Sequence, residues 1–78
     1  MALYTIRIYD VQRMRYFRMK ITERSTIGGL KRRLWVARRY RPSWQSIFFN
    51  DEALLDRRTF ASYGVREGDV IMLWYGFV

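Results

Sequence analysis

Ile47-Phe48-Phe49-Asn50-Asp51-Glu52-Ala53-Leu54-Leu55-Asp56-Arg57-Arg58-Thr59-Phe60-Ala61-Ser62-Tyr63-Gly64-Val65, carried on by Val70-Ile71-Met72-Leu73-Trp74-Tyr75, is the stretch that decides the fold. It opens on a short strand, predicted over residues 46–49. Asn50-Asp51 is turn chemistry. Leu54-Leu55 predicts a short strand or apolar step, and residues 59–63 suit one turn of helix. Gly64 is expected to take a positive backbone angle. Arg66-Glu67-Gly68-Asp69 makes a second turn before a last strand over Val70–Tyr75. Side chains alternate along a strand, so inward Ile47, Phe49, Ile71 and Leu73 turn Phe48, Met72 and Trp74 outward.

Nearer the N-terminus, Tyr4-Thr5-Ile6-Arg7-Ile8-Tyr9 alternates with period two, as a half-buried strand does. Tyr4, Ile6 and Ile8 face the core; Leu3, Thr5, Arg7 and Tyr9 face out. Residues 10–15 are polar and predict a connecting turn. Tyr16-Phe17-Arg18-Met19-Lys20-Ile21 alternates again, with Phe17, Met19 and Ile21 inward, which predicts a hairpin with a longer loop. Ser25 or Thr26 can cap a helix whose apolar face is Ile27, Leu30 and Leu34. Gly28 and Gly29 weaken its first turn, at about 1 kcal/mol each in a helix interior. Pro42 cannot continue the helix and pushes Arg41 toward extended backbone, so the helix is predicted to end near Arg38. The order β-β-α-β-β-β predicts one α+β domain over residues 1–78: a mixed sheet of four to five strands with one main helix across it. The first and last strands are expected to pair in parallel at the centre.

The 78 residues include no Cys, so no disulfide supports the core and packing alone must hold it. Half the chain is hydrophobic and 18% aromatic, which equips it for that. A Cys-free chain fits a reducing compartment, and an intracellular location, cytoplasmic or nuclear, is expected. No apolar run approaches the roughly 20 residues that span a bilayer, and Met1-Ala2-Leu3-Tyr4 does not open a signal peptide. Fifteen basic residues stand against seven acidic, for a formal charge of +8, and only Lys20 and Lys31 among the basic ones are not Arg. Such a charge attracts nucleic acid, acidic protein or anionic lipid, or simply solubilises an aromatic-rich surface.

The opening stretch resembles the C-terminal half of ubiquitin, and the likeness extends over almost the whole chain. Thr26-Ile27 opens the helix with Leu30-Lys31 following, and Pro42 and Gln45 precede the third strand. Ile47, Phe49, Leu54, Phe60, Val65, Ile71 and Leu73 fall on the family's apolar sites. The resemblance implies a β-grasp fold and a role in being recognised by other proteins. It places a Tyr that ties down a loop at Tyr63, and a largely buried helix lysine at Lys31, with Asp56 as its counter-charge. It implies a recognition patch on Phe48, Met72 and Trp74, bordered by Tyr9 and Arg7, that binds a ubiquitin-receptor-like protein or a partner helix. Gly76-Phe77-Val78 stands where a conjugated modifier would approach its Gly-Gly tail, and Glu52 replaces the most used chain-forming lysine, so a non-conjugated module is expected. Thr26-Ile27-Gly28-Gly29-Leu30-Lys31 and Trp74-Tyr75 are also similar to the splicing-associated, non-conjugated ubiquitin-like modifiers, which bind a partner helix. Ser25, the Trp at 74 and the residues after Tyr75 depart from that subfamily.

Catalysis is not expected: with no His and no Cys, no triad or imidazole base can be built. The carboxylates mostly sit in predicted turns, and neither a cofactor nor a metal site is expected. The rival reading is RNA or another polyanion. Arg7, Arg18 and Lys20 share a predicted sheet face with Tyr9, Tyr16, Phe48 and Trp74, and basic groups among aromatics serve phosphate contact and base stacking. Arg32, Arg33, Arg38, Arg39 and Arg41 add charge along and after the helix. A third reading is an engineered or diverged scaffold with no natural partner. An exposed Phe, Met and Trp cluster would also support self-association.

Overall fold

A computed structural model describes residues 2–76. Strand β1 (Leu3–Asp10) and strand β2 (Arg15–Thr22) form the N-terminal hairpin, followed by helix α1 (Ile27–Arg38). Strand β3 (Gln45–Phe49), the two-residue strand β4 (Glu52–Ala53) and strand β5 (Val70–Tyr75) complete one sheet in the order β2-β1-β5-β3-β4. The first and last strands pair in parallel at its centre and every other pairing is antiparallel.

One face of this sheet is the core. Ile6, Ile8, Ile21, Ile47, Ile71 and Leu73 pack against Ile27, Leu30 and Leu34 of α1, with Phe60 and Leu54 closing the open side. The helix start is anchored twice. Thr26 Oγ1 accepts from Gly29 N–H at 3.0 Å, while Ser25 Oγ serves Thr22 instead. Ile27 and Gly28 donate to the carbonyls of Arg58 and Asp56 at 3.0 and 2.9 Å, so the first-turn amides are engaged. Gly28 allows that approach: a Cβ there would lie 3.2 Å from the Asp56 carbonyl oxygen.

The structure departs from the sequence expectations in two places. The fourth strand is Glu52–Ala53 rather than Leu54-Leu55, because Asn50 and Asp51 both adopt positive φ, 51° and 63°, in a two-residue turn that pairs Phe49 directly with Glu52. Leu54 is then the buried apolar step, and its N–H still reaches Ile47 O at 2.8 Å. Helix α1 ends at Arg38, where Pro42 led it to be expected, and the chain leaves it through Arg39, which takes φ 63° without being Gly. Asp10, expected in a turn, is the buried end of β1 with 1% of its surface exposed. Among the described residues no helix is long and apolar enough to cross a membrane.

Candidate functional site

The register of the five strands lays the outward side chains in rows. Tyr9 of β1 pairs with Tyr16 of β2 on one side and Met72 of β5 on the other; Met72 pairs with Phe48 of β3, and Phe48 with Ala53 of β4. Tyr16-Tyr9-Met72-Phe48-Ala53 is therefore one apolar row across the whole sheet. Tyr9, Met72 and Phe48 are half-buried by their neighbours and Tyr16 is exposed. Trp74, two residues further along β5 and opposite Ser46, is 49% exposed. The Tyr9 and Tyr16 rings pack 4.7 Å apart at 48°.

The next row is basic. Arg7 lies opposite Arg18 and, one row on, Thr5 lies opposite Lys20. These four, with Glu67 and Gly68, line a shallow cavity of about 460 Å³. Glu67 Oε1 accepts from Thr5 N–H at 2.9 Å, which fixes one wall. The Arg7 guanidinium sits 5.6 Å from the Tyr16 ring centre and donates to Gly68 O at 3.4 Å.

The arginines of the helix lie elsewhere. Because α1 covers the inner face, Arg32, Arg33, Arg38 and Arg39 stand on the opposite side of the sheet from Arg18 and Lys20. Arg33 donates to the Lys20 carbonyl at 2.7 Å at the β2 edge. Arg38 lies 4.0 Å over the Phe17 ring, Arg39 6.0 Å from Trp35 and Arg41 5.0 Å from Trp44. These Arg residues set their charge against aromatic rings, a contact that Arg makes more often than Lys. Thus Phe48, Met72, Trp74, Tyr9 and Arg7 share one surface with Arg18, Lys20 and Tyr16, and the helix arginines do not join it.

A family model described as the ubiquitin family matches residues 5–75. The chain belongs to the ubiquitin family. No curated protein matches it. Two contacts expected from the ubiquitin resemblance are present: Tyr63 Oη accepts from Leu55 N–H at 2.9 Å, and Lys31 Nζ meets Asp56 Oδ1 at 2.7 Å.

Sequence reasoning missed a polar cluster at the end of this ubiquitin-family sheet. Tyr40 Oη donates to Asp10 Oδ2 at 2.5 Å, Arg13 N–H donates to Oδ1 at 3.0 Å, and the Arg13 guanidinium reaches both Oδ2 and Tyr40 Oη. Burial pushes the Asp10 carboxyl up, but the bonds from Tyr40 and Arg13 outweigh it and hold the group below the ordinary carboxylate value. Tyr40 is raised by its burial and by its bond to Asp10. Gln12 clips the same loop to β5: its amide donates to Tyr75 O at 2.6 Å and accepts from Tyr75 N–H at 3.2 Å. The partners are 30 and 63 positions away, so only the fold reveals them. Among the described residues no group of three or more acidic, His or Cys side chains could hold a metal ion.

Proposed function

We propose that this ubiquitin-family domain is a non-conjugated docking module that binds a protein partner through the outer sheet face, with Phe48, Met72 and Trp74 as anchors and Tyr9 and Arg7 at their border. The observation that carries this reading is the row itself. Aromatic and Met side chains run from β2 to β3, with an exposed Trp beside them, on the face of the sheet opposite the core. Contiguous exposed apolar surface marks an interaction site, and Trp, Tyr and Met suit binding anchors. Such a role asks no covalent step of the domain.

The test is capture by the immobilised domain compared with its Trp74→Ala variant. The variant should lose the captured proteins while keeping its urea midpoint, since Trp74 is 49% exposed on the face away from buried Leu73. Recovery of the same proteins by both forms would remove Trp74 from the site.

A further inference from the structure

We propose that the basic depression beside the apolar row is the acid-accepting half of the docking surface, so that the partner is a peptide segment carrying carboxylates next to large apolar side chains. This rests on the docking reading above and adds the partner's chemistry to it. Arg7 and Arg18 are register partners that point to the same side and are both exposed. Like charges directly opposite one another destabilise a sheet. The domain relieves them only in part: the Arg7 guanidinium donates to Gly68 O at 3.4 Å and lies 5.6 Å from the Tyr16 ring centre, and among the described residues the ion pairs are Arg13–Asp10 and Lys31–Asp56, both elsewhere. Glu67, the carboxylate in the wall, accepts from Thr5 N–H and offsets part of the charge of Arg7, Arg18 and Lys20, three cations against one anion. A ligand carboxylate entering the depression removes the repulsion and finds planar donor forks that match its geometry.

The spacing joins this depression to the anchors. Adjacent outward rows are two residues apart along a strand, about 7 Å. Carboxylates on Arg7 and Arg18 therefore lie within one short segment's reach of apolar groups on Tyr9 and Met72. A single-stranded nucleic acid fits the same charge less well. Base stacking needs an open ring face, but Tyr9 and Tyr16 pack against each other and Arg7 lies over Tyr16. Next along the row comes Met72, which has no ring, and the exposed ring of Trp74 lies two outward rows from Arg7 rather than beside the basic groups.

The experiment is a fluorescence-anisotropy titration of the domain with three labelled probes: a peptide of alternating glutamate and leucine, an all-glutamate peptide of the same length, and an oligouridylate. The glutamate–leucine peptide should bind tightest. Arg18→Glu should weaken it by about tenfold, the loss of one charge-assisted contact, and added salt should weaken it too. The proposal is overturned if that peptide does not bind, if the all-glutamate peptide or the oligouridylate binds as tightly, or if Arg18→Glu leaves the affinity unchanged. Peptide binding lost in Trp74→Ala but kept in Arg18→Glu overturns the acid site and spares the docking face. The opposite pattern overturns the docking face. Circular dichroism of both variants confirms that each is folded.

Discussion

The two faces of the sheet use the same strands for opposite purposes. On β5, Ile71 and Leu73 are fully buried among helix residues, while Met72 and Trp74, each one residue away, look out over the apolar row. On β1, Ile6 and Ile8 face the core, while Arg7 and Tyr9 face the depression and the row. Position along the strand decides which task a residue serves, because a strand side chain's neighbours change completely from one residue to the next. Stability and recognition should therefore separate by parity.

The sharpest break of that comparison is Leu73 against Trp74. Leu73→Ala should cost about 2–5 kcal/mol, the usual cost of emptying a buried leucine site. A domain of this size holds only roughly 4–12 kcal/mol in total, so the variant should be close to unfolding in a urea titration. Trp74→Ala should stay within about 0.5 kcal/mol of the parent, as surface changes do. If the two cost alike, the outer face is a second core and the separation fails.

Asp10 sharpens the comparison from the other side, as the charged exception on the buried face. Asp10→Asn should cost about 1.5–3 kcal/mol, because it weakens hydrogen bonds made to a charge. The pH dependence carries a definite sign. The folded carboxyl is held below its ordinary value, so the unfolded chain binds that proton more readily. The stabilisation is complete above the ordinary Asp value of about 4 and fades as pH falls through the lower folded value. Urea midpoints taken from neutral to acid pH should fall for the parent through that window and be flatter for Asp10→Asn. Equal slopes would mean that other carboxylates set the acid limit.

Most of the fold was legible because its signals are local. Alternation marked β1, β2 and β5, the spacing of Ile27, Leu30 and Leu34 marked the buried helix face, and Asn50-Asp51 marked the turn. The outward positions of Phe48, Met72, Trp74, Tyr9 and Arg7 followed from the same parity. What was not legible depends on contacts far apart in the chain. Asp10 reads as a turn residue until Tyr40 is seen against it, and the burial of Gln45, which the sequence places only before the third strand, is explained once its Nε2 is seen donating to the carbonyls of Lys31 and Tyr40. The end of α1 carries no Gly at Arg39, so the left-handed exit had no sequence mark. The alignment of Tyr16, Tyr9, Met72 and Phe48 into one row needed the inter-strand register, which the distant β1–β5 pairing sets.

The smallest effect expected is also the one that tests the outer face most directly. Arg18→Gln removes one of two cations that stand opposite each other, while keeping a long polar side chain at an edge-strand position. On an ordinary surface, removing a solvated charge changes little. Here it should stabilise the domain by about 0.2–1 kcal/mol, the size of a like-charge cross-strand penalty, seen as a higher urea midpoint at low salt. Salt screens exposed charges over about 10 Å at 0.1 M and about 3 Å at 1 M, so the gain should shrink as salt is added. A gain that ignores salt would come from strand propensity instead, and no gain would mean that Arg7 and Arg18 splay apart. A residue that lowers stability on its own and raises affinity for an acidic segment is what separates a binding face from a merely solubilising one.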